Sequence, residues 1–568
     1  MTYSLEEFNI RASRIAYFSM EIALGSAIPT YSGGLGVLAG DTMRSAADLD
    51  LPMVGVTLIS RAGYFRQEIL DGRQVEQPNV WQPELWAKRL GAKVAVQIGE
   101  REVWVGAWLY TVEGHRGGQV PVLLLDTDVP ENHREDRDLA HYLYGGDDTY
   151  RLKQEMVLGI GGVRMLGALG FNIRKYHLNE GHAALLTLEL LRRLAHSPEE
   201  AGNPALRYDV AGVREHCIFT THTPIEAGHD QFSYELADRL LGALVDGATL
   251  RELAGTERLN MTRLALNLSE YVNGVARRHA EVSRKMFPGY QVHAITNGVH
   301  PWTWACDSLR QLYDRHLPRW CHEPELLVRA DRIPDDEIRQ AHAEAKSRLL
   351  KHIGGLGGPS LDPALPMLGF ARRMTAYKRA DLLFSNLERL RAIAQRHPFQ
   401  IVLAGKAHPR DMSGKQLIER LHGWAGDLAG AVPVHFLADY DMATARLLVS
   451  GVDVWVNTPL RPLEASGTSG MKAALNGVPN LSVLDGWWLE GWIEGVTGWA
   501  VGSEAATGDG DGHDAASLYL KLEQQVLPLY YDDAAGWTAV MKGAITHNAS
   551  FFNSHRMMRQ YAVEAYLR

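Results

Sequence analysis

Two short stretches hold the residues whose types and spacing could do chemistry. The first runs Arg461-Pro-Leu-Glu-Ala-Ser-Gly-Thr-Ser-Gly-Met-Lys472 and continues through Ala473-Ala-Leu-Asn-Gly477. Its small residues, Ala465, Ser466, Gly467, Thr468, Ser469 and Gly470, keep the backbone accessible. A strand, a small-residue turn and a helix start, in that order, set free N–H groups around a phosphate. Glu464 enters the turn as an acceptor for hydroxyls, and Thr468 and Lys472 stand four apart, on one helix face. Met471, Ala473, Ala474 and Leu475 surround the lysine with apolar groups. An ammonium held there loses hydration, its pKa falls, and it becomes a candidate for Schiff-base formation. A surface lysine or a phosphate clamp fits the same spacing. The second stretch, Arg372-Arg-Met-Thr-Ala-Tyr-Lys-Arg379, puts four cations in eight residues at a strand end. It reads either as a solvated face or as an anion site.

Both stretches need strands behind them. Val452-Asp-Val-Trp-Val456 reads as the buried strand ahead of the lysine turn, and Met367 to Phe370 as the strand ahead of the cations. Around them the pattern alternates: Ile401 to Gly405, Val434 to Leu437 and Leu481 to Leu484 as strands, with helices over Arg379 to His397, Lys415 to Trp424 and Met442 to Val449. An earlier block alternates too. Its strands are Ile15 to Met20, Val54 to Ile59, Lys175 to Asn179 and Cys217 to Thr220, with a hairpin over Val103 to Tyr110 and Val120 to Leu125. Its helices are Val37 to Leu49, Arg151 to Leu169 and His182 to Leu194. Strands alternating with helices over short loops indicate parallel sheets covered on both faces. The fold class is therefore α/β, with two Rossmann-like domains, 1–299 and 300–568, whose strand ends face a shared cleft. Gly354-Gly-Leu-Gly-Gly358 reads as a flexible connector, and the helical tail from Ser517 to Arg568 is expected to pack back on the first domain.

The totals narrow the function classes. A chain of 568 residues is too long for one core. Its hydrophobic content of 46% and charged content of 22% are those of a soluble globular protein. A net charge of −9 argues against nucleic acid as a partner, which requires a basic face. No run reaches the length of a membrane span, and the N-terminus lacks the basic and apolar regions of a signal peptide. Cys217, Cys306 and Cys321 are widely spaced and odd in number, offering neither a disulfide framework nor a CxxC clip. The expectation is a cytoplasmic, enzyme-sized protein with no metal ligands assigned.

Other features carry less. His177-Leu-Asn-Glu-Gly-His182 spaces its histidines five apart with the first on a strand, which does not fit a zinc helix. Asp147-Asp148 is either a loop over the cleft or a helix cap. Trp487, Trp488 and Trp492 either stack on sugar rings or pack as core or lid. Gly508-Asp-Gly-Asp-Gly512 reads as a solvent-exposed turn.

Taken together, these motifs resemble the α-glucan phosphorylases. The lysine segment is similar to that family's pyridoxal-phosphate segment, and Arg372 to Arg379 keeps its Tyr-Lys pair in register. Tyr17-Phe-Ser-Met-Glu21 with Gly33-Gly-Leu-Gly36, Thr221-His-Thr-Pro224 and Thr296-Asn-Gly298 extend the match, which covers roughly residues 14 to 495. The resemblance implies pyridoxal 5′-phosphate bound as a Schiff base on Lys472. It implies Gly467, Thr468, Ser469, Arg372, Tyr440 and Gly34 around the cofactor, and substrate phosphate on Arg373, Lys378 and Gly34. Glu464, Ala465, Ser466, Asn297 and His222 would hold the glucose. The implied reaction is reversible phosphorolysis of terminal α-1,4-glucosidic bonds of a glucan or maltodextrin, giving α-glucose 1-phosphate with retention. Two phosphate dianions about 5 Å apart at an effective dielectric of about 20 repel by on the order of 13 kcal/mol. Such a site therefore needs clustered cations and a shared proton.

This chain departs from the long, regulated members of that family. Ser32 stands for an Asn, Arg372 for a Lys, Ser469-Gly470 for Gly-Asn, and Trp487-Trp488 for two small residues. Family motifs begin almost at the first residue, so the expectation is an enzyme without the phosphorylation switch, and a homo-oligomer is compatible with it. Two alternatives remain: a nucleotide-sugar glucosyltransferase of the same architecture without pyridoxal phosphate, and a non-catalytic glucan-binding relative.

Overall fold

The structure, a computed structural model, describes residues 13–196, 207–225, 228–242, 244–503 and 510–568. Two large sheets organise it. The first has nine strands in the order His293–Ala294, Tyr271–Gly274, Cys217–Thr220, Lys175–Asn179, Ile15–Ser19, Met53–Leu58, Gln119–Asp126, Arg101–Glu113, Lys88–Ile98. Seven run parallel, and the last two add an antiparallel meander. The hairpin expected from Val103 and Val120 is the inner part of that meander. Strand Lys88–Ile98 went unread, because as an edge strand it alternates exposed and half-buried residues.

The second sheet has six parallel strands: Val434–Leu437, Gln400–Ala404, Met367–Ala371, Val454–Asn457, Asn480–Val483, Gly498–Val501. In chain order this is 3-2-1-4-5-6, the doubly wound arrangement whose order reverses between Met367–Ala371 and Val454–Asn457. Residues 372–378 and 458–472 leave the carboxyl ends of these two strands. In the first sheet the reversal lies between Ile15–Ser19 and Lys175–Asn179, whose ends lead to Glu21 and Glu180. Crevices at such reversals are where open α/β sheets take ligands.

The C-terminal helices lie against the first sheet. Met557, Met558, Tyr561, Ala565 and Tyr566 belong to one buried cluster with Ile15, Tyr17 and Leu38. Tyr566 Oη bonds His177 Nδ1 at 2.7 Å, Asn273 Nδ2 donates to Tyr561 Oη at 2.9 Å, and the hydroxyls of Ser45 and Ser554 meet at 2.5 Å.

Three sequence expectations are corrected. The helix expected over Arg379 to His397 is broken. Arg379 turns back with φ +47, Leu382–Phe384 forms a 3-10 turn, and helix Leu387–Arg396 begins only where Asn386 caps it. The connector at 354–358 begins as the last two residues of helix Asp335–Gly355, and Gly357 at φ +76 makes the stop. The acidic turn lies partly outside the described residues (508 and 509), while Gly510 to Gly512 open helix Gly510–Lys521. No helix among the described residues is long and apolar enough to cross a membrane.

Candidate active site

Lys472 sits on helix Ser469–Leu475, built from the helix formers Met471, Ala473, Ala474 and Leu475. The helix stops at Asn476, after which Gly477 takes φ +69. Its inner face is buried, and Lys472 is buried with it. Nζ bonds Thr468 Oγ1 at 3.2 Å, as the four-residue spacing requires, and lies over the Trp304 ring, 4.1 Å from its centroid. Burial lowers the amine to about pH 8, with Asp41 opposing the shift. Trp304 is itself placed from the first lobe, since its Nε1 donates to Asp41 Oδ2 at 2.8 Å. Neither Trp304 nor Asp41 stood out in the sequence; both lie in segments with no repeat or spacing signal.

The turn ahead of the helix is fixed by close approach. A Cβ at Gly470 would sit 2.3 Å from Asn480 Oδ1, and Gly467 takes φ +74, so only glycine fits either position without strain. Trp487 N–H donates to Ser466 O at 2.9 Å, and Trp455 Nε1 donates to Ser469 Oγ at 3.0 Å. Trp487 and Trp488 are core, whereas Trp492 is partly exposed. Ala465 is half-buried and follows Glu464 in the same turn.

Glu464 is held by charge. Its Oε2 accepts Lys378 Nζ at 2.6 Å and pairs with the guanidinium of Arg372. These two cations outweigh burial and bring the carboxyl down to about 2. Asp485 accepts the backbone N–H of Glu464 at 2.9 Å, and burial raises its own carboxyl to about 6. Glu464 Oε1 has no hydrogen-bond partner among the described residues, and Arg372 Nη1 is buried without one. Tyr440 is half-buried near Arg372, and burial pushes its phenol upward.

The four cations of 372–379 do not act together. Arg372 and Lys378 serve Glu464, while Arg379 turns away to Asp514 at 2.6 Å and to the carbonyls of Thr458 and Pro459. Arg373 is exposed in the cleft and faces the glycine turn of the first lobe, where a Cβ built on Gly33 would lie 3.7 Å from its Nη2. Glu21 shapes that turn: Oε2 accepts Ser32 N–H at 2.5 Å and Gly33 N–H at 3.2 Å, and Oε1 accepts Tyr144 Oη at 2.9 Å. A Cβ at Gly36 would come within 2.6 Å of Glu21, whereas one at Gly34 would meet no atom within 4 Å.

His222 lies at the end of strand Cys217–Thr220. Its Nε2 bonds Asn179 Oδ1 at 2.6 Å and its backbone N–H donates to Glu180 Oε2 at 2.8 Å. An amide oxygen only accepts, so Nε2 carries the proton, and burial holds the ring neutral with its pKa lowered to about 3. Asn297 is buried with Oδ1 unpartnered. Its segment is held from the C-terminal half. Arg556 donates to the carbonyls of Thr296 at 2.7 Å and Asn297 at 3.0 Å, and Glu490 accepts Thr296 Oγ1 at 2.9 Å. Asp147 is a helix cap, accepting Tyr150 N–H at 2.9 Å. His177 spends both ring nitrogens on Tyr566 and Thr220.

The site's chemistry is that of a nucleophilic amine, an anion-binding cation set and hydroxyl acceptors, drawn from both sheets. Comparisons with known proteins give the family. Residues 5–131 and 243–494 match the carbohydrate phosphorylase family. Over 97% of its length the chain is 39% identical to a maltodextrin phosphorylase of Thermococcus litoralis, covering 70% of that protein. It is 37% identical to a glycogen phosphorylase of Aquifex aeolicus, covering 86% of it. It is also 30% identical to an uncharacterized protein of Methanocaldococcus jannaschii, covering 99% of it.

Proposed function

The chain belongs to the carbohydrate phosphorylase family, and from that premise we propose that it catalyses reversible phosphorolysis of terminal α-1,4-glucosidic bonds. The products are α-glucose 1-phosphate and a glucan or maltodextrin shortened by one unit, with retention at the anomeric carbon. The observation that carries this reading is Lys472, a buried amine lowered to about pH 8 over Trp304, in the cleft that also holds the Arg372–Glu464–Lys378 group.

Pyridoxal phosphate is general to the family, and the residues present fit it. A buried lysine carries one hydrogen bond, and the orphaned Nη1 of Arg372 requires an acceptor that the chain does not supply. Lys472, Thr468, Gly467, Ser469, Arg372 and Tyr440 would hold the cofactor, with Gly34 from the first lobe. When bound, its phosphate supplies an acid–base partner to the substrate phosphate.

The chain's own residues do the rest. Arg373 and Lys378 bind inorganic phosphate, Lys378 through the ammonium protons that its bond to Glu464 leaves unused. Asn297 Oδ1 accepts a glucose hydroxyl, as does Glu464 Oε1, and the unprotonated Nδ1 of His222 accepts another. These contacts fix the sugar for cleavage. Bound phosphate passes its proton to the glycosidic oxygen, the C–O bond breaks, and a phosphate oxygen adds to the same face of C1. Cations beside that phosphate stabilise the oxocarbenium-like stage. The neutral ring of His222 neither repels that positive centre nor competes as a base. On this reading the enzyme acts in the cytoplasm, with glucan, phosphate and glucose 1-phosphate as its partners.

The test is phosphate release from glucose 1-phosphate with maltodextrin as acceptor, run beside a nucleoside diphosphate glucose as donor. Release by the wild type and none by Lys472→Ala is the expected result. Transfer only from the nucleotide sugar would overturn it.

A further inference from the structure

Away from the cleft, three donor side chains from two distant parts of the sequence converge: His115, Cys321 and His322, with ligand atoms all within 4.8 Å of one another. His115 lies in the turn between strands Arg101–Glu113 and Gln119–Asp126 of the first lobe. Cys321 and His322 follow helix Asp307–His316, and Cys321 packs in the core of the second lobe. The three side chains share a second property. None hydrogen-bonds the side chain or backbone of another described residue, and His322 Nδ1 is buried without a partner. Their ring contacts, His115 with His322 at 5.3 Å and with Trp302 at 4.3 Å, leave the nitrogens unspent.

A neighbouring group is spent differently. Asp48, His300 and His555 also converge. There, however, Thr303 N–H donates to His300 Nδ1 at 3.2 Å, so His300 Nε2 bears the proton and gives it to Asp48 Oδ2 at 2.8 Å. Both ring nitrogens of His300 are thus used, while His555 Nε2 is buried without a hydrogen-bond partner. Asp48 nonetheless serves the first cluster, because its Oδ1 accepts the backbone N–H of His115 at 2.5 Å and fixes that turn. It also acts electrostatically on Cys321 and His322, as does Arg116 with the opposite sign.

The geometry points to a divalent transition-metal site, zinc or an ion of similar softness, held by His115, Cys321 and His322 and tying the first-lobe hairpin to the second lobe. One thiolate and two imidazoles are the donors such ions select. A tetrahedral ion with bonds of about 2.0–2.3 Å sets its ligand atoms roughly 3.3–3.6 Å apart, a contraction that side-chain rotation can supply. His115 is exposed, so the fourth position falls to water. Binding releases the thiol proton to solvent and involves no redox change. The ion joins elements of both lobes behind the cleft, so it limits how far they part.

The experiment uses the full-length holoprotein, stripped with a chelator and titrated with zinc against a chromophoric competitor, then loaded with cobalt(II). One equivalent bound, tetrahedral cobalt bands in the visible, and a thermal midpoint raised by zinc are expected. His115→Ala and Cys321→Ser, tested separately, each weaken binding at least about tenfold and lose the zinc-dependent shift, while phosphorolysis without metal is unchanged. Because His115 is exposed, its variant keeps the test valid should Cys321→Ser fold poorly. Less than stoichiometric uptake at micromolar zinc, or equal uptake by the wild type and both variants, would overturn the proposal.

Discussion

Lys472 Nζ lies 4.1 Å from the centroid of the Trp304 ring, and Trp304 is itself held by Asp41 of the first lobe. The buried amine is thus seated by a residue of one lobe that is aimed by a residue of the other. Under the proposed function, the cofactor lysine depends on both lobes for its setting.

Under the proposed function, this seating makes uptake of pyridoxal phosphate pH-dependent. Lys472 has its pKa lowered in the fold, from 10.5 to about 8. The folded apoprotein therefore binds fewer protons than the unfolded chain between those values, and its stability rises with pH across that window. The neutral amine is also the nucleophile, so the rate of reconstitution with pyridoxal phosphate is expected to rise with a midpoint near pH 8. Stopped-flow absorbance measures it, and a rate flat from pH 6 to pH 10 would contradict the burial of the amine.

Glu464→Gln tests the cation pair. Removing one partner of a buried ion pair costs about 3–5 kcal/mol, and here it strands Arg372 and Lys378 together. Phosphate or sulfate binding to those cations restores stability by mass action. Denaturant titrations with and without the anion are expected to show a larger anion effect in the variant than in the wild type.

Asp485 gives a second pH signature. Its carboxyl is raised from 3.8 to about 6, so its contribution to stability is fully present below pH 4 and lost as pH rises through 6. Asp485→Asn is expected to flatten that decline. Parallel melting curves at pH 4, 5, 6 and 7 measure the difference between the two proteins.

Arg556 positions the Thr296–Asn297 segment through two carbonyls. Arg556→Ala is expected to lower kcat/KM for glucose 1-phosphate by about 10–100-fold, since a displacement of about 1 Å carries a loss of that order. The cofactor spectrum is expected to stay unchanged. Steady-state kinetics with an absorbance scan separates this from general unfolding.

Legibility in the sequence followed the range of the interactions. The Lys472 environment could be read because Thr468, Met471 and Ala473 are its neighbours on one short helix. The parallel sheets were legible from their buried apolar runs. Partners set by tertiary approach were not. Trp304 and Asp41 reach Lys472, and Arg556 reaches Asn297, through contacts that no local period encodes. In the sequence Arg379 is one of four clustered cations; the left-handed turn at 379 sends it to Asp514. The sequence assigns no metal to the cysteines because Cys321 and His322 have no third donor nearby in the chain; His115, the third donor of the proposed site, comes to them only in the fold.

The most direct measurement is borohydride reduction of the purified holoprotein followed by peptide mapping. A single pyridoxyl-labelled peptide carrying Lys472, with phosphorolysis abolished in Lys472→Ala, is the result expected. Label on a different lysine, or full turnover by Lys472→Ala, would contradict it.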